Sequence, residues 1–281
     1  MGPMQRGPRL DEIGYWSEIK LDILREYAAA YSRILAARRQ PALHHVYIDA
    51  FAGGGVHVSR ATREPRLGSP LIALGIKPPF REFHFVDLDP RKIALLRQRI
   101  GPRNDVFYYE DDANSVLPQQ VFPRVKYKDY RRGLCILDPY GLHLSWNVIL
   151  AAGQMKSIDL FVNFPVLDMN RNVLWHDVES VAAEQSERLT YLWGDESWRE
   201  EAYSTAGNLF GYPERESIEV VASAFRKRLK KVAGFARVPE PMPMRNTKGA
   251  IVYYLFFASQ NEAGQDIVRD IFNKYRDRGA S

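Results

Sequence analysis

The stretch HVYIDAFAGGG, residues 45–55, decides how the chain is expected to fold. It begins as an apolar run rich in β-branched and aromatic residues, which is typical of a buried strand, and it ends in three glycines. Glycines at the carboxyl end of a first strand allow a sharp turn and let the backbone approach a ligand closely. The stretch therefore predicts a strand followed by a ligand-binding turn, although a plain glycine-rich turn explains GGG alone about equally well.

Similar apolar runs follow along the chain, and helical patterns separate them. Together they predict five buried strands, at residues 45–51, 82–88, 105–110, 133–138 and 159–164. Helical spacing of apolar residues predicts helices that include 90–100 and 145–155, and a long helix over 16–39 within an N-terminal helical segment, 10–40. Apolar strands alternating with helices predict an α/β fold with a Rossmann-like, doubly wound, mostly parallel sheet.

This alternation breaks after Phe164. Residues 171–233 are helical and polar in pattern, which predicts a helical insertion without strands. We expect the sheet to resume at FARVPEPM, residues 235–242, and at AIVYYLFFAS, residues 250–259, before a closing helix. Because no linker rich in Pro, Gly or Ser marks the insertion off, a single domain over residues 1–281 is predicted, with a separate domain as the alternative.

Composition limits the class of protein. The 281 residues are 46% hydrophobic and 26% charged, which excludes disordered and collagen-like classes, and the net charge of +5 permits an anionic partner without demanding one. No apolar run is long enough to cross a bilayer, and the first residues lack the apolar region of a secretory signal. The one cysteine, Cys135, excludes a disulfide framework and is expected in the core. We expect a cytoplasmic protein without membrane association or a metal site.

The residues around the glycines indicate a cofactor. The pattern Asp49-x-Phe51-x-Gly53-x-Gly55 resembles motif I of class I S-adenosylmethionine-dependent methyltransferases, and it does not match the G-x-G-x-x-G of dinucleotide dehydrogenases. The resemblance implies S-adenosylmethionine as cofactor, and a first group of cofactor-binding residues made up of Asp49, Phe51, Ala52, Gly53 and Gly55.

Acids also follow the second and third predicted strands. Asp87, with Leu88 beside it, is placed to accept hydrogen bonds from ribose hydroxyls, while Asp89 before Pro90 is a good helix N-cap. After the third strand, the methyltransferase resemblance implies that Asp112, followed by Ala113, meets the amino group of adenine. A solvated turn would explain the acids at 110–112 if they stood alone.

The fourth predicted strand ends in LDPYG, residues 137–141. Asp138 is the sharpest catalytic candidate and Tyr140 offers a flat face, although Asp-Pro is also a common start of a turn. The segment resembles the Asp-Pro-Pro-Tyr motif of amino-methyltransferases, in which the acid holds the amine hydrogens and the ring stacks on the base. Here the second proline is missing and Gly141 follows the tyrosine, which leaves methylation of a base amine open.

The order of motifs along the whole chain resembles the three-Cys-motif partner proteins (TcmP), a family with a Rossmann-like methyltransferase core. The motifs are KLDILREY (20–27), YIDAFAGGG (47–55), GSP (68–70), FVDLDP (85–90), DDAN (111–114), DPYGL (138–142), NFP (163–165) and YYLFFAS (253–259). The resemblance implies a small three-Cys-motif protein as partner, and this chain, with one Cys, would be the member that lacks the motif.

Under this resemblance the reaction is methyl transfer, and the catalytic candidates are Asp138, Pro139, Tyr140 and Asn163, with Asp138 also counted among the cofactor-binding residues. Asp138 would orient or deprotonate the acceptor, Tyr140 would flank it, and Asn163 ends the fifth strand beside the same site. Lys20 could reach the cofactor carboxylate, although a solvated lysine is the more ordinary explanation.

Arg60, Arg63 and Arg66 lie in the loop after the glycines, where an anionic substrate such as nucleic acid would be held. His143, Trp175 and His176 could also line a pocket, although packing explains them as well. Two functions therefore stand after the sequence: a methyltransferase with a nucleic-acid or nucleotide-like acceptor, or a non-catalytic cofactor-binding scaffold for the three-Cys partner. An oxidoreductase is disfavoured, because the glycine spacing is wrong and no Tyr-x-x-x-Lys run occurs.

Overall fold

The computed structural model describes residues 11–174, 181–204 and 214–276; the predictions for Trp175 and His176 lie outside them. The α-helices in this part of the chain are α1 (Tyr15–Ala37), α2 (Ser69–Leu74), α3 (Pro90–Ile100), α4 (Ala113–Val116), α5 (Trp146–Met155), α6 (Val166–Asn172), α7 (Ala183–Trp193), α8 (Trp198–Ala202), α9 (Ile218–Lys231) and α10 (Glu262–Arg276). The strands are β1 (Glu12–Ile13), β2 (His44–Asp49), β3 (Val56–Ser59), β4 (Pro65–Leu67), β5 (Glu82–Val86), β6 (Val106–Tyr109), β7 (Arg131–Leu137), β8 (Ile158–Phe164), β9 (Tyr203–Ser204), β10 (Glu214–Arg215), β11 (Met242–Arg245) and β12 (Ile251–Ala258).

Seven strands form the central sheet in the order β11-β12-β8-β7-β2-β5-β6. The five strands from β8 to β6 are parallel, whereas β12 runs antiparallel to β8 and β11 antiparallel to β12. From β2 the chain continues outward through β5 and β6, then returns to build β7 and β8 on the other side. The strand order reverses between β2 and β7, and ligands of such sheets bind beside the carboxyl ends at this point. The predicted α/β fold with a mostly parallel sheet is confirmed.

All five predicted buried strands are present, and their ends differ from the prediction by at most two residues. The main difference is at the carboxyl end of β2 and β5, where the strand stops at Asp49 and Val86, two residues earlier than predicted. There the chain leaves the ladder to form the turns described below. Cys135, as predicted, is fully buried in β7.

The prediction that the sheet resumes at residues 235–242 is wrong. The strand begins only at Met242, and Arg237 makes an isolated bridge with Ser259. Regular pairing covers only Met242–Arg245, at the edge of the sheet, where a strand can include a proline such as Pro243.

The segment 171–233 is helical where it is described, except for a two-residue antiparallel pairing of β9 with β10 that the prediction missed. Its helices pack on the same apolar cluster as one face of the sheet. Phe225 on α9 lies against both Trp146 on α5 and Trp193 on α7, at ring centroid distances of 5.9 and 5.7 Å. These contacts hold α7 and α9 on the sheet.

The other face of the sheet is covered by α1 and α10, which pack against each other. Tyr27 of α1 lies edge-on to Phe161 of β8 with 5.2 Å between ring centroids. After the glycine turn, β3 and β4 form a small sheet with β1. None of the described helices has the length and apolarity that crossing a bilayer requires.

Candidate functional site

The glycine turn after β2 is tied to both neighbouring strands. Ala50 N–H donates to the Ile136 carbonyl at 3.0 Å, and Ala52 N–H donates to the Val86 carbonyl at 2.9 Å. Gly53 then has a φ of 62°, a left-handed conformation that glycine adopts without strain. A Cβ on Gly53 would meet no other atom within 4 Å, so this position is open to a ligand.

Gly55 has a different role. Its φ is 82°, and a Cβ there would lie 2.7 Å from Cδ1 of Leu96 on α3. Glycine at this position therefore allows α3 to pack against the turn, while glycine at Gly53 leaves space for a ligand.

Asp87 connects the glycine turn to the end of β5. Its Oδ2 accepts a hydrogen bond from Gly53 N–H at 2.8 Å, and its Oδ1 accepts one from Asp89 N–H at 2.9 Å. Asp89 accepts from Arg91 N–H at 2.9 Å and caps α3, which confirms the predicted N-cap. Since a carboxylate oxygen can accept more than one hydrogen bond, the buried Asp87 can hold the turn and still bind a ligand hydroxyl.

The end of β6 is joined to the segment after β7. Asp112 caps α4 by accepting from Asn114 N–H at 3.0 Å. The Asn114 amide donates to the His143 carbonyl at 3.0 Å and accepts from Ser145 N–H at 2.8 Å. No sequence signal identified this role of Asn114, because its partners lie about thirty residues away along the chain.

Asp138 at the end of β7 is held by two side chains from distant parts of the chain. Asn163 donates to Oδ1 at 2.7 Å, and the Lys20 ammonium group of α1 donates to Oδ2. The Lys20 side chain is only 10% exposed, whereas that of Asp138 is 32% exposed. The ordinary explanation of Lys20 as a solvated lysine is therefore wrong: α1 lines the site and places Lys20 inside it.

The difference in burial between Lys20 and Asp138 predicts how each contributes to stability. We expect Asp138→Ala to lower the free energy of unfolding by about 2–4 kcal/mol at pH 7, because it leaves a buried ammonium group unpaired. Lys20→Met should cost less, since water reaches Asp138. The double variant Lys20→Met/Asp138→Ala should regain much of the free energy of unfolding that Asp138→Ala alone loses. Urea denaturation of all four proteins measures this, and additive losses would show that the two charges are not coupled.

The turn after Asp138 needs a glycine. Gly141 has a φ of 59°, and a Cβ there would overlap the Asp168 carboxylate. Oδ2 of Asp168 accepts from Leu142 N–H at 3.1 Å and from Arg188 Nη2 at 2.8 Å. Asp168 and Arg188 were not predicted as site residues. The nearest signal is the NFP motif, which precedes Asp168 by three residues.

Several buried polar atoms at the site have no hydrogen-bond partner among the described residues, namely Asp49 Oδ1, His57 Nδ1 and Asn163 Oδ1. Burial and, more weakly, the Asp138 charge raise the pKa of Asp49 to about 7, although hydrogen bonds from Ser69 and the Phe51 backbone oppose the rise. Burial also lowers the pKa of His57. The groups beneath and beside the glycine turn thus have hydrogen-bonding capacity that the protein leaves unused.

Two cavities meet at the carboxyl ends of the parallel strands. The larger has a volume of about 890 Å³ and lies between α1, the glycine turn, the turn at 138–141 and α6. The smaller has a volume of about 670 Å³ and lies between the ends of β5 and β6 and helix α7. Both are lined by Phe51, Tyr140, His143 and Arg188. A ligand that fills both cavities would therefore pass Tyr140, whose hydroxyl accepts a hydrogen bond from Lys92 Nζ at 3.0 Å.

Most of the predicted site residues line these cavities. Those in the larger cavity are Phe51, Ala52, Gly53, Arg60, Asp138, Pro139, Tyr140 and Asn163. Those in the smaller cavity are Phe51, Asp87, Leu88, Asp112, Ala113 and Tyr140. Asp49 and Gly55 line neither, because Asp49 is buried beneath the turn and Gly55 faces α3.

The three arginines predicted in a loop belong to the β3–β4 hairpin, with Arg66 inside β4, and each lies near an acid. Arg63 pairs with Glu12 at 2.8 Å, Arg60 approaches the same carboxylate at 3.8 Å, and Arg66 lies 3.5 Å from Glu18. Arg60 lines the larger cavity, but Arg63 and Arg66 are not among the residues that line it. Among the described residues no three His, Cys, Asp or Glu side chains are grouped as metal ligands would be.

No protein-family model matches the chain, and a search of curated proteins found no relative. Several solved structures resemble it at low similarity. A protein from Legionella pneumophila is 12% identical, with a TM-score of 0.44 over 92% of this chain and 93% of its own. A candidate S-adenosylmethionine-dependent methyltransferase from Listeria monocytogenes is 14% identical, with a TM-score of 0.40 over 85% and 99%. A dimethyladenosine transferase from Plasmodium falciparum is 14% identical, with a TM-score of 0.39 over 91% and 65%. At this similarity the matches carry no conclusion about activity, and membership of the TcmP family stays a prediction.

Proposed function

We propose that the protein is an S-adenosylmethionine-dependent methyltransferase. The observation that carries the proposal is the arrangement at the reversal of strand order: Gly53 is open to the larger cavity, and its N–H is bound to Asp87, which lines the smaller one. A turn that joins two adjoining cavities suits a ligand with a nucleoside at one end and a charged amino acid at the other.

The residues present fit that cofactor. The smaller cavity offers Asp87 for ribose hydroxyls, and Asp112 and Ala113 for the base. Gly53, with no Cβ to obstruct, lets the backbone approach the ligand. Asn163 and His57, whose Oδ1 and Nδ1 have no hydrogen-bond partner among the described residues, line the larger cavity. When bound, S-adenosylmethionine supplies an electrophilic methyl group.

The chain itself would bind and orient the acceptor. Because Lys20 and Asn163 fix the Asp138 carboxylate, Asp138 would act as a positioned hydrogen-bond acceptor for the group to be methylated. Tyr140 is largely exposed and would present its ring to a flat acceptor. Arg60 and Trp16, which line the same cavity, support a nucleic-acid or nucleotide-like acceptor.

Calorimetry with S-adenosylmethionine and S-adenosylhomocysteine tests the proposal. The wild-type protein should bind both, and Asp87→Ala should weaken binding at least about 30-fold, because it removes the ribose acceptor and leaves Gly53 N–H without its partner. The control is Asp270→Ala, an exposed acid on α10. No binding of either ligand at millimolar concentration would overturn the function, and unchanged affinity in Asp87→Ala would overturn the assigned site.

A second candidate is a non-catalytic cofactor-binding scaffold for a three-Cys-motif partner. The engagement of both Asp138 oxygens favours it, because Lys20 and Asn163 already donate to this carboxylate from within the chain. The partner itself is proposed from sequence resemblance alone. Incubation with labelled S-adenosylmethionine and fractionated RNA, DNA and protein, with and without the partner, separates the two. Label in a nucleic-acid fraction that disappears in Asp138→Ala would support the enzyme, whereas binding of partner and cofactor without transfer would support the scaffold.

A further inference from the structure

Helix α7, within the segment predicted as an insertion, forms one wall of the smaller cavity. Its residues Glu184, Glu187, Arg188 and Tyr191 line the cavity, and their spacing of three and four places them on one face of the helix. On the opposite face, Leu189, Leu192 and Trp193 are buried in the apolar cluster under the sheet. The core therefore fixes the orientation of α7 and turns its polar and aromatic face toward the cavity.

An ion pair connects α7 to the candidate catalytic turn. Arg188 donates through Nη2 to Asp168 at 2.8 Å and through Nη1 to Gln185 at 2.6 Å. Asp168 in turn accepts from Leu142 N–H, just after the turn at 138–141. Arg188 lines both cavities, so the pair places α7 where the two cavities meet.

The chemistry of this wall indicates what it would recognise. Three large apolar or aromatic side chains that stay exposed line the cavity: Leu88 at 72%, Tyr140 at 65% and Tyr191 at 48% exposure. Exposed apolar surface gathered around a cavity is typical of a site that a flat, apolar ligand covers.

The charges around these side chains are mostly negative. Asp87, Asp112, Glu184 and Glu187 line the cavity, and the one arginine among its described lining residues, Arg188, is already paired with Asp168. Carboxylates accept hydrogen bonds from amino groups and repel phosphates and carbonyl oxygens. The wall therefore suits a purine nucleoside that carries an amino group and no phosphate.

We infer that α7 determines the nucleoside specificity of the site, with Tyr191 covering the base and Glu184 and Glu187 selecting a 6-amino over a 6-oxo edge. This inference rests on the proposed function, since it concerns the nucleoside end of the same cofactor. It gives the segment between β8 and β11 a role in ligand binding that the sequence motifs did not assign.

The test compares two ligands that differ only at the base edge: S-adenosylhomocysteine and its deaminated analogue, S-inosylhomocysteine. Tyr191→Ala should weaken binding of both by about tenfold, as expected for the loss of one ring stacked on a base, while Tyr191→Phe should stay within about twofold of wild type. The double variant Glu184→Gln/Glu187→Gln should lower the ratio of affinities for S-adenosylhomocysteine over S-inosylhomocysteine by about threefold or more. The reason is that a glutamine amide, unlike a carboxylate, can also donate a hydrogen bond to the carbonyl of the inosine base.

Matched controls are Tyr127→Ala, an exposed tyrosine that lines neither cavity, and Glu200→Gln on α8. Thermal melting of every variant checks that the fold is intact. If wild type binds both ligands but Tyr191→Ala and the double variant bind them equally well and with the same preference, α7 does not determine specificity and the inference is overturned while the proposed function stands. If wild type binds neither ligand, the proposed function fails and this inference fails with it. If Tyr191→Phe also loses affinity for the two ligands, stacking of the aromatic ring on the base does not account for the role of Tyr191.

Discussion

Gly53→Ala is expected to weaken binding of S-adenosylmethionine at least about 100-fold, whereas Gly249→Ala leaves it unchanged. Both glycines have a left-handed φ, 62° and 79°, and at both a new Cβ would meet no protein atom within 4 Å. Each substitution should therefore cost a similar 1–2 kcal/mol or so of backbone strain. Only the Cβ of residue 53 would stand in the larger cavity, where the ligand is proposed to lie.

The pair of variants separates strain from steric exclusion. Urea denaturation should give nearly equal losses of stability for the two, and calorimetry should give a loss of affinity for Gly53→Ala alone. Equal affinity in both variants would show that the glycine turn does not contact the cofactor. Equal loss in both would show that strain, rather than the cavity, accounts for the effect.

Asp49→Asn is expected to stabilise the protein at pH 8 by up to about 4 kcal/mol and to have little effect at pH 4. Burial raises the pKa of Asp49 from its ordinary 3.8 to about 7 in the folded state. As the pH rises above 4, the unfolded chain loses its proton first, so the unfolded state is increasingly favoured until the folded state also ionises near pH 7. The difference between the two pKa values corresponds to about 4 kcal/mol, and the neutral amide removes it.

The control is Asp159→Asn, since burial also raises the pKa of Asp159, to about 6, and Asp159 lines neither cavity. Denaturation of wild type and both variants between pH 4 and pH 8 measures the effect. Both should be stabilised more at pH 8 than at pH 4, and Asp159→Asn should gain less, because Tyr27 and Ser259 already donate to its carboxylate. Binding of a cationic ligand should weaken only in Asp49→Asn. A stability gain that is the same at both pH values would contradict the raised pKa.

The buried Asp49 carboxyl is thus expected to reduce stability at neutral pH, and its Oδ1 lacks a partner among the described residues. Buried ionisable groups with strongly shifted pKa values are typical of ligand-binding and catalytic sites. The negative charge beneath the glycine turn would then be stabilised when a cationic group binds above it.

Much of the fold could be predicted from local patterns. The five parallel strands, α3 with its Asp89 cap and the glycine turn all depend on neighbouring residues, because strand and helix periodicity and positive φ are local properties. The strand predicted at residues 235–242 begins only at Met242, since an apolar pattern does not show where pairing with β12 starts.

The sequence by itself determined the five parallel strands, the acids and glycines that follow them, and most of the predicted site residues that line the two cavities. Only the tertiary structure showed that Lys20 reaches Asp138 across 118 residues, that Arg188 pairs with Asp168, and that α7 closes the smaller cavity. The physical reason is that these contacts join segments whose patterns are each complete without the other. A lysine on an amphipathic helix has the same pattern whether water or a carboxylate faces it, and packing of the apolar faces decides which it meets.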